Sequence, residues 1–436
     1  GGIARAEAVE YDRRTDAADT IGIALMGVTV GCARCHSHKY DPISQRDYFA
    51  MQAIVAEAKQ WDVERNKRLD NSEDRKKPQH WIMRDLEQSP AVRLLFRGEL
   101  ESPGPAISPG TPRVLPGGGP FELVDETTGH RAQLAGWLVA KQNPLTARVI
   151  VNRVWQWHFG AGLAATPDDL GTQGTAPTHP QLLDWLAAEL MENEWSLKHL
   201  HRLIMNSSTY RMASVPAEEN ADRADGSLLT HFPRRRLDAE AIWDNLHATS
   251  GSINLARGGP PVYPPIDQSA IDAKRNIEWK SEEHRDSWTR RAVYMVSRRS
   301  LLHPFFDTFN APLPVAVCGR RDTTVVAPQA LAMLNNEMVV REARTFSGRL
   351  LRECGDDTEA IVARAWLLAF GRPAGEAESK QASVFLAAAE ARFAEAAKHT
   401  TPLNAPEDIK ISGERGAALI EFCLALMNTN EFLYVD

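Results

Sequence analysis

The sequence is poor in cysteine, in long apolar runs and in positive charge. Only 5 of its 436 residues are cysteine, so the fold cannot depend on a framework of disulfides. No apolar stretch approaches the ~20 residues that a membrane-spanning helix needs, and we expect no membrane span in this chain. With 50 basic and 57 acidic side chains the net charge is −7, which argues against a nucleic-acid binder that neutralises phosphates.

The residues that are abundant point to a helical globular protein. Hydrophobic residues make up 43% of the chain, and they recur mostly at the three- and four-residue spacing of amphipathic helices. Residues 291–297 alternate as a strand would, and Ser44 with Asp47 forms the capping-box pattern that starts a helix. We therefore predict a mainly α, multidomain protein with minor β structure and long irregular loops.

Prolines and glycines are concentrated in residues 98–120, a composition that suits neither a helix nor a central strand. We place a linker there. It separates a first domain, residues 1–97, from a helical second domain, residues 121–436. The part beyond about residue 345 is a candidate helical subdomain.

The sharpest motif is Cys32-Ala33-Arg34-Cys35-His36, the C-x-x-C-H pattern that attaches c-type haem. On one helical turn both thiols reach the porphyrin edge while the imidazole of His36 reaches the iron. Two alternatives stay open: a structural zinc site that also uses His38, and a redox-active dithiol. Four ligands within seven residues are too close together to suit a tetrahedral zinc ion. The sequence before Cys32 lacks the strand and helix setting of a redox-active dithiol.

The second axial ligand of such an iron cannot be assigned from the motif. The candidates are Met51, Met26 and His158, and an open or water-bound iron is a further alternative. Met51 lies on the apolar stripe of a predicted helix, which favours a place in the core. His38 is two residues beyond His36 and faces away from it, so we expect a hydrogen-bonding role or a contact to a haem propionate.

Other cysteines and aromatic residues have simpler interpretations. Cys318, Cys354 and Cys423 stand beside apolar or small residues and are predicted to be buried free thiols without chemistry. Four tryptophans have the ring type that stacks on sugars, but their spacing among aliphatic residues favours a core position: Trp155, Trp157, Trp185 and Trp195.

Polar residues of the second domain are candidates for ligand contacts. Arg148 and Asn152 are four residues apart on one predicted helix and point the same way, with His158 near its end. Arg320 and Arg321 precede another helix, where an anionic ligand such as a sulfated or carboxylated sugar would be favoured. A structural role, in which these side chains bind loop carbonyls or cap the loop, is the alternative for both pairs.

The sequence around the motif resembles a family. Residues 31–43, Gly-Cys-Ala-Arg-Cys-His-Ser-His-Lys-Tyr-Asp-Pro-Ile, are similar to the signature of the planctomycete cytochrome-c-associated proteins. The second half resembles their companion domain of unknown function, at residues 143–155, 178–180, 195–198, 208–211, 234–240 and 430–436. This resemblance implies a periplasmic or otherwise extracytoplasmic protein from bacteria that degrade polysaccharides. It also implies that N-terminal sequence, including an export signal, is missing.

The leading hypothesis is an extracytoplasmic protein with haem c held by Cys32, Cys35 and His36. Its redox role would be electron transfer or oxidative chemistry linked to polysaccharide degradation, with a redox protein or a carbohydrate as its partner. The first alternative is a glycan-binding or scaffold protein with a zinc or cysteine knuckle. The second is a polysaccharide hydrolase, whose acids would come from Asp168, Asp169, Asp238 and Glu240.

Overall fold

The computed structural model describes residues 2–62, 81–86, 90–121, 129–214, 226–266, 268–272, 279–281, 285–314, 317–396 and 411–435. These residues form two compact units, Gly1–Pro233 and Arg234–Asp436. The predicted mainly α class with minor β structure is confirmed. Within the described residues, no helix has the length and apolar character needed to cross a membrane.

The first unit combines six α-helices with short strand pairs in its described part. The helices are α1 (Gly2–Ile21), α2 (Gln45–Ala56), α3 (His130–Leu138), α4 (Thr146–Phe159), α5 (Pro180–Glu192) and α6 (Leu197–Asn206). The antiparallel pairs are β1 (Ala58–Asp62) with β2 (Trp81–Asp85), β3 (Val92–Leu95) with β4 (Pro103–Ile107), and β5 (Gly110–Thr111) with β6 (Gly119–Pro120).

Helix α2 is the central element of the first unit. Ser44 and Asp47 start it with the predicted capping box, in which the Ser44 hydroxyl accepts from the Asp47 amide and the Asp47 carboxylate accepts from the Ser44 amide. The helix is buried along almost its whole length, and Tyr48, Phe49 and Ile54 are fully enclosed. The core of the unit therefore forms around α2, and the loop before α2 is held at a defined place.

The second unit is a helical assembly around α12 and α15. Its elements are β7 (Arg235–Arg236), α7 (Ala239–Ser250), α8 (Gln268–Asp272), α9 (Arg285–Trp288), α10 (Pro304–Thr308), α11 (Ala327–Asn335), α12 (Glu337–Cys354), α13 (Thr358–Phe370), α14 (Glu376–Ala396), α15 (Gly413–Met427), α16 (Asn430–Leu433) and β8 (Tyr434–Val435). Strands β7 and β8 pair antiparallel, which joins the two ends of the unit.

The strand predicted at 291–297 is wrong. This segment contains a 3-10 turn, Ala292–Tyr294, and an isolated bridge at Met295. An alternating pattern alone does not make a strand where no neighbour offers a continuous edge of backbone groups. Segment 98–120, predicted as the linker, lies inside the first unit and contributes β4, β5 and β6. The placement of the domain boundaries stays a prediction.

Candidate functional site

The C-x-x-C-H motif lies on the surface of the first unit, between α1 and α2. A π-helical turn, Gly22–Met26, and the left-handed Gly27 end α1, and a 3-10 turn, Val30–Arg34, carries the motif. With three residues per turn, Cys32 and Cys35, the residue that ends the turn, are expected on the same side. Both thiols are exposed and free, whereas Val30 and Ala33 are completely buried and fix the turn to the core.

His36 is exposed directly after the second cysteine. Its Nδ1 lies 2.7 Å from the carbonyl oxygen of Ser37. A carbonyl only accepts hydrogen bonds, so Nδ1 must carry the proton, and the lone pair of the neutral ring is on Nε2. Metal-bound histidines are usually oriented in this way, with one ring nitrogen donating to a carbonyl and the other free for the metal.

The backbone of the motif is held by neighbouring elements. Gln45, the first residue of α2, donates from Nε2 to the carbonyls of Arg34 at 2.8 Å and Leu95 at 3.0 Å. Tyr11 of α1 donates to the carbonyl of Gly98 at 3.1 Å. Gly98 has a φ of +75°, and a Cβ built on it would lie 3.1 Å from the Cys35 sulfur. The cysteine turn is thus supported from α1, α2 and the β3–β4 hairpin.

A buried polar group lies behind the motif and was not predicted from the sequence. A Cβ on Gly31 would lie 2.8 Å from an oxygen of Asp19, so only glycine leaves room for this carboxylate. Burial raises the pKa of Asp19 despite a hydrogen bond with Tyr48. Burial, together with the charge of Asp19, also raises the pKa of Tyr48. These residues come from two helices, and no local pattern links them to the cysteines.

His38 is built into the loop after the motif. Its side chain is only 3% exposed, and its Nδ1 accepts from the backbone amide of Asp41 at 2.8 Å. The other ring nitrogen faces the hydroxyl of Thr29 at 3.4 Å. Asp41 in turn accepts from the amide of Thr172 at 2.7 Å, which ties this loop to the one after α4. Both nitrogens of His38 therefore have protein partners.

These contacts bear on the zinc alternative. A zinc site made from Cys32, Cys35, His36 and His38 needs a free ring nitrogen on His38, but both nitrogens of that ring already have protein partners. Within the described ranges, no group of three or more His, Cys, Asp or Glu side chains is arranged to hold a metal ion. A haem needs less from the chain, because its porphyrin supplies four of the iron ligands and the motif has to supply two thiols and one imidazole. The donors present fit that requirement.

The three candidates for the second axial ligand of the iron all contact other side chains of the first unit. Met26 and Met51 are 0% and 2% exposed and belong to the core cluster of the first unit. His158 lies near the end of α4, with its Nε2 2.8 Å from Nδ1 of His201 and its ring edge-on to Tyr210. Each of the three is packed against other side chains of the unit.

Arg148 and Asn152, predicted together, have separate partners. Arg148 forms an ion pair with Asp184 at 2.7 Å and donates to the carbonyl of Pro144. Asn152 is fully buried, and its amide donates to the carbonyl of Ala164 at 2.9 Å while its oxygen accepts from the same residue's amide at 2.8 Å. These contacts agree with the structural role that was the alternative to ligand binding for this pair.

The two arginines predicted together in the second unit, Arg320 and Arg321, also have different environments. Arg321 binds both oxygens of Glu240 and lies 3.6 Å from Asp238. Arg320 is exposed, and its carbonyl accepts from the thiol of Cys318 at 3.3 Å. The prediction of three buried thiols is wrong for Cys318, which is exposed, and for Cys354, which is half-buried, whereas Cys423 is fully buried.

A buried charge cluster in the second unit was missed by the sequence analysis. Glu342 of α12 is completely buried and accepts from Ser250 at 2.7 Å, Ser252 at 2.6 Å and Arg285 at 2.7 Å. Burial alone would raise the pKa of Glu342, but the interaction with His247, the two hydroxyl groups and the arginine charge together outweigh it and lower the pKa. His247 of α7 lies 3.9 Å away, and burial lowers its pKa.

Comparison with known families agrees with the division of motifs along the chain. Residues 130–386 match the model of PSD1, a protein of unknown function (DUF1553), and residues 2–60 match that of PSCyt2, a protein of unknown function (DUF1549). Both are typical of planctomycete cytochrome-c-associated proteins, so the resemblance to these proteins is confirmed, whereas no model of a haem-motif domain matches the chain. No curated protein and no solved structure gives a significant match. The PSD1 model covers more than half of the sequence, and the chain therefore belongs to the PSD1 (DUF1553) family.

Proposed function

We propose that this protein is an extracytoplasmic c-type haem protein with a redox role. The observation that carries the proposal is the arrangement of the motif on one exposed turn. Two free thiols lie on the same side, and the adjacent imidazole has its Nδ1 bound to a carbonyl and its Nε2 lone pair available. In this proposal Cys32 and Cys35 would hold the porphyrin through thioethers, and His36 would bind the iron.

A bound haem would supply one-electron chemistry, and the chain would set how the group is held. Gln45 fixes the carbonyl at the end of the cysteine turn, and Ser37 orients the ring of His36. Exposure of both thiols suits covalent attachment by a maturation system, which joins haem to such motifs outside the cytoplasm. An extracytoplasmic address follows from such attachment, and a redox protein or a carbohydrate as the partner is a further part of the proposal.

The hydrolase alternative has less support. Three of its four candidate acids are paired with arginine: Asp168 with Arg153 at 3.1 Å, and Asp238 and Glu240 with Arg321. A general acid needs a raised pKa, whereas an ion pair favours the charged carboxylate.

The test is covalent haem on the two predicted cysteines. The full chain is exported to the periplasm of a host that has a cytochrome c maturation system, and then purified. We expect a c-type pyridine haemochrome spectrum and tryptic peptides in which Cys32 and Cys35 both carry the haem mass. Cys32→Ser and Cys35→Ser should each remove one thioether, and His36→Ala should change the iron spectrum.

Cys318→Ser is the matched control, because Cys318 is also an exposed free thiol but lies outside the motif. This variant should keep the full haem content. Protein that has no covalent haem and binds one zinc ion instead would overturn the proposal in favour of a metal knuckle. Protein without haem in which Cys32 and Cys35 form a reversible disulfide would overturn it in favour of a dithiol.

A further inference from the structure

A groove on the first unit has the composition of a binding site. It has a volume of about 330 Å³ and lies between α5 and α6, with α4 beneath it. Its walls and floor are aromatic and aliphatic, and its rim is polar, the lining being Trp155, Leu182, Trp185, Leu186, Leu203, Ile204, Asn206, Ser207 and Thr209. The volume is within the range of pockets that take small molecules or single units of a polymer.

Two tryptophans have different roles in this groove. Trp155 is 5% exposed and stacks on Phe159 with ring centroids 4.3 Å apart, so it is a rigid part of the floor. Trp185 is 51% exposed, whereas its close neighbours on the same helix, Leu183 and Leu186, are buried. Exposing half of an indole ring gives up a large part of its burial energy and leaves that half open to a ligand.

The rim adds hydrogen-bonding groups that the protein does not use. The side-chain amide of Asn206 and the hydroxyl of Thr209 make no hydrogen bond with the described residues. Ser207, by contrast, donates to the carbonyl of Ile204 at 2.6 Å and is already satisfied. A ligand that covers this groove must offer partners to Asn206 and Thr209, because each unsatisfied group would cost about 1–3 kcal/mol.

None of the lining residues carries a charge, and Arg211 beside the rim already donates to the backbone carbonyls of Asn206 and Ser207. A sulfated or carboxylated ligand would find no charged partner among the lining residues and would give up water without forming an ion pair there. A wholly apolar segment would cover the indole but leave the amide and the hydroxyl unpaired. A neutral sugar ring satisfies both requirements, since its C–H face packs on an aromatic ring while its hydroxyls donate to and accept from polar groups at the edge.

We propose that this groove binds a neutral pyranose unit of a glycan, with Trp185 as the stacking platform and Asn206 and Thr209 as hydrogen-bonding partners. The site is independent of the haem motif, because none of its lining residues belongs to that motif. A failure of haem attachment therefore leaves this proposal standing, and a failure of glycan binding leaves the haem proposal standing.

The experiment measures binding of defined oligosaccharides to the full chain by isothermal titration. Cellohexaose, laminarihexaose, mannohexaose and xylohexaose are the neutral probes, and polygalacturonate and carrageenan are the anionic ones. We expect at least one neutral hexaose to bind with a Kd below about 1 mM. Trp185→Ala should weaken it by about tenfold or more, and Asn206→Ala with Thr209→Val by several-fold.

Trp157→Ala is the matched control. Trp157 is 58% exposed on α4 and is not part of the groove, so its loss removes the same surface ring from a different place. This variant should bind the sugar as the unmodified protein does. The proposal is overturned if no neutral hexaose binds, if Trp157→Ala weakens binding as much as Trp185→Ala, or if the anionic polymers bind equally well in these assays. It is also overturned if the groove takes up the apolar dye ANS and no hexaose displaces it.

Discussion

Gly98 determines the space beside the second cysteine. Its positive φ already disfavours any side chain, and a Cβ would press on the Cys35 sulfur. We expect Gly98→Ala to lower the free energy of unfolding by about 1–2 kcal/mol. It should also slow alkylation of Cys35 by iodoacetamide, measured by mass spectrometry of the Cys35 peptide in protein without haem.

Gly117 provides the control for Gly98. It has a similar φ of +65°, but the nearest atom to its added Cβ is 3.6 Å away. Gly117→Ala should therefore carry the backbone cost without changing the reaction of Cys35. Equal alkylation rates in the two variants would show that Gly98 does not shape the thiol site.

A substitution at Asn152 tests whether this residue, predicted as a ligand contact, has a structural role instead. Its side chain satisfies both backbone groups of Ala164 in a fully buried place. We expect Asn152→Ala to lower the free energy of unfolding by about 2–4 kcal/mol, because two buried groups lose their partner. Arg148→Gln, which removes a half-exposed ion pair on the same helix, should cost less than about 1 kcal/mol. Comparable losses in denaturant titrations of the two variants would contradict this assignment.

Among the elements, those with a strong local signal could be predicted and those that depend on distant partners could not. The helix periodicity predicts helices over 147–159, 359–370 and 375–398, which match α4, α13 and α14 to within two residues, and the capping box placed the start of α2. The sequence predicts a single helix over 327–351, but the structure divides it at Asn336, whose side chain caps α12 by accepting from the amide of Met338. Asparagine favours the N-cap position over a helix interior, so Asn336 is a local signal for the break that the apolar periodicity alone does not take into account.

The same limit applies to the candidate site. The spacing of Cys32, Cys35 and His36 is a local property and was readable from the sequence. The supports of that turn come from Tyr11, Gln45 and the β3–β4 hairpin, and nothing in the local pattern marks them. Groups brought together from distant parts of the chain become visible only in the folded structure.

The loop from His36 to Ile43 is an element whose shape depends on His38. Because the His38 ring accepts from the amide of Asp41, an asparagine can replace it by forming an Asx turn, whereas an alanine cannot. We expect His38→Ala to lower the midpoint of thermal unfolding and His38→Asn to restore most of the loss. Both variants should keep the visible spectrum of bound haem. A spectral change in His38→Asn, with stability unchanged, would indicate instead that His38 acts on the haem.

At the scale of the whole molecule, the second unit depends on a charge cluster assembled from three helices. Glu342 of α12, Arg285 of α9 and two serines at the end of α7 form one buried network, with Arg341 at its edge. These groups are separated by up to 92 residues in the sequence. A buried carboxylate with all its partners is costly to disturb, so the network makes the packing of α7 against α12 specific.

His247 gives this network a defined dependence on pH. Its Nδ1 donates to the carbonyl of Trp243 at 2.8 Å, and its Nε2 faces Glu342 without a hydrogen-bond partner among the described residues. Burial lowers the pKa of His247 below the ordinary 6.5. The unfolded chain takes up a proton at this residue below about pH 6.5, whereas the folded chain resists it. The free energy of unfolding of the second unit should therefore fall as the pH decreases from 7 to 5, by at most about 2 kcal/mol from this group. Glu342 does not add to this change. The ordinary pKa of a glutamate lies below pH 5, and the pKa of Glu342 is lowered further, so its carboxylate stays charged between pH 5 and pH 7.

The measurement for His247 is hydrogen exchange of α7 and α12 amides at several pH values, corrected for intrinsic exchange rates. In His247→Asn the amide can still donate to the Trp243 carbonyl but cannot take up a proton near pH 6. Protection in this variant should change less between pH 7 and pH 5 than in the unmodified protein. Because every other histidine is present in both proteins, the difference between the two slopes reports His247 alone. Identical slopes would contradict the prediction, because they would mean that the attraction of Glu342 fully offsets the effect of burial and of the charges of Arg285 and Arg341 on the proton affinity of His247.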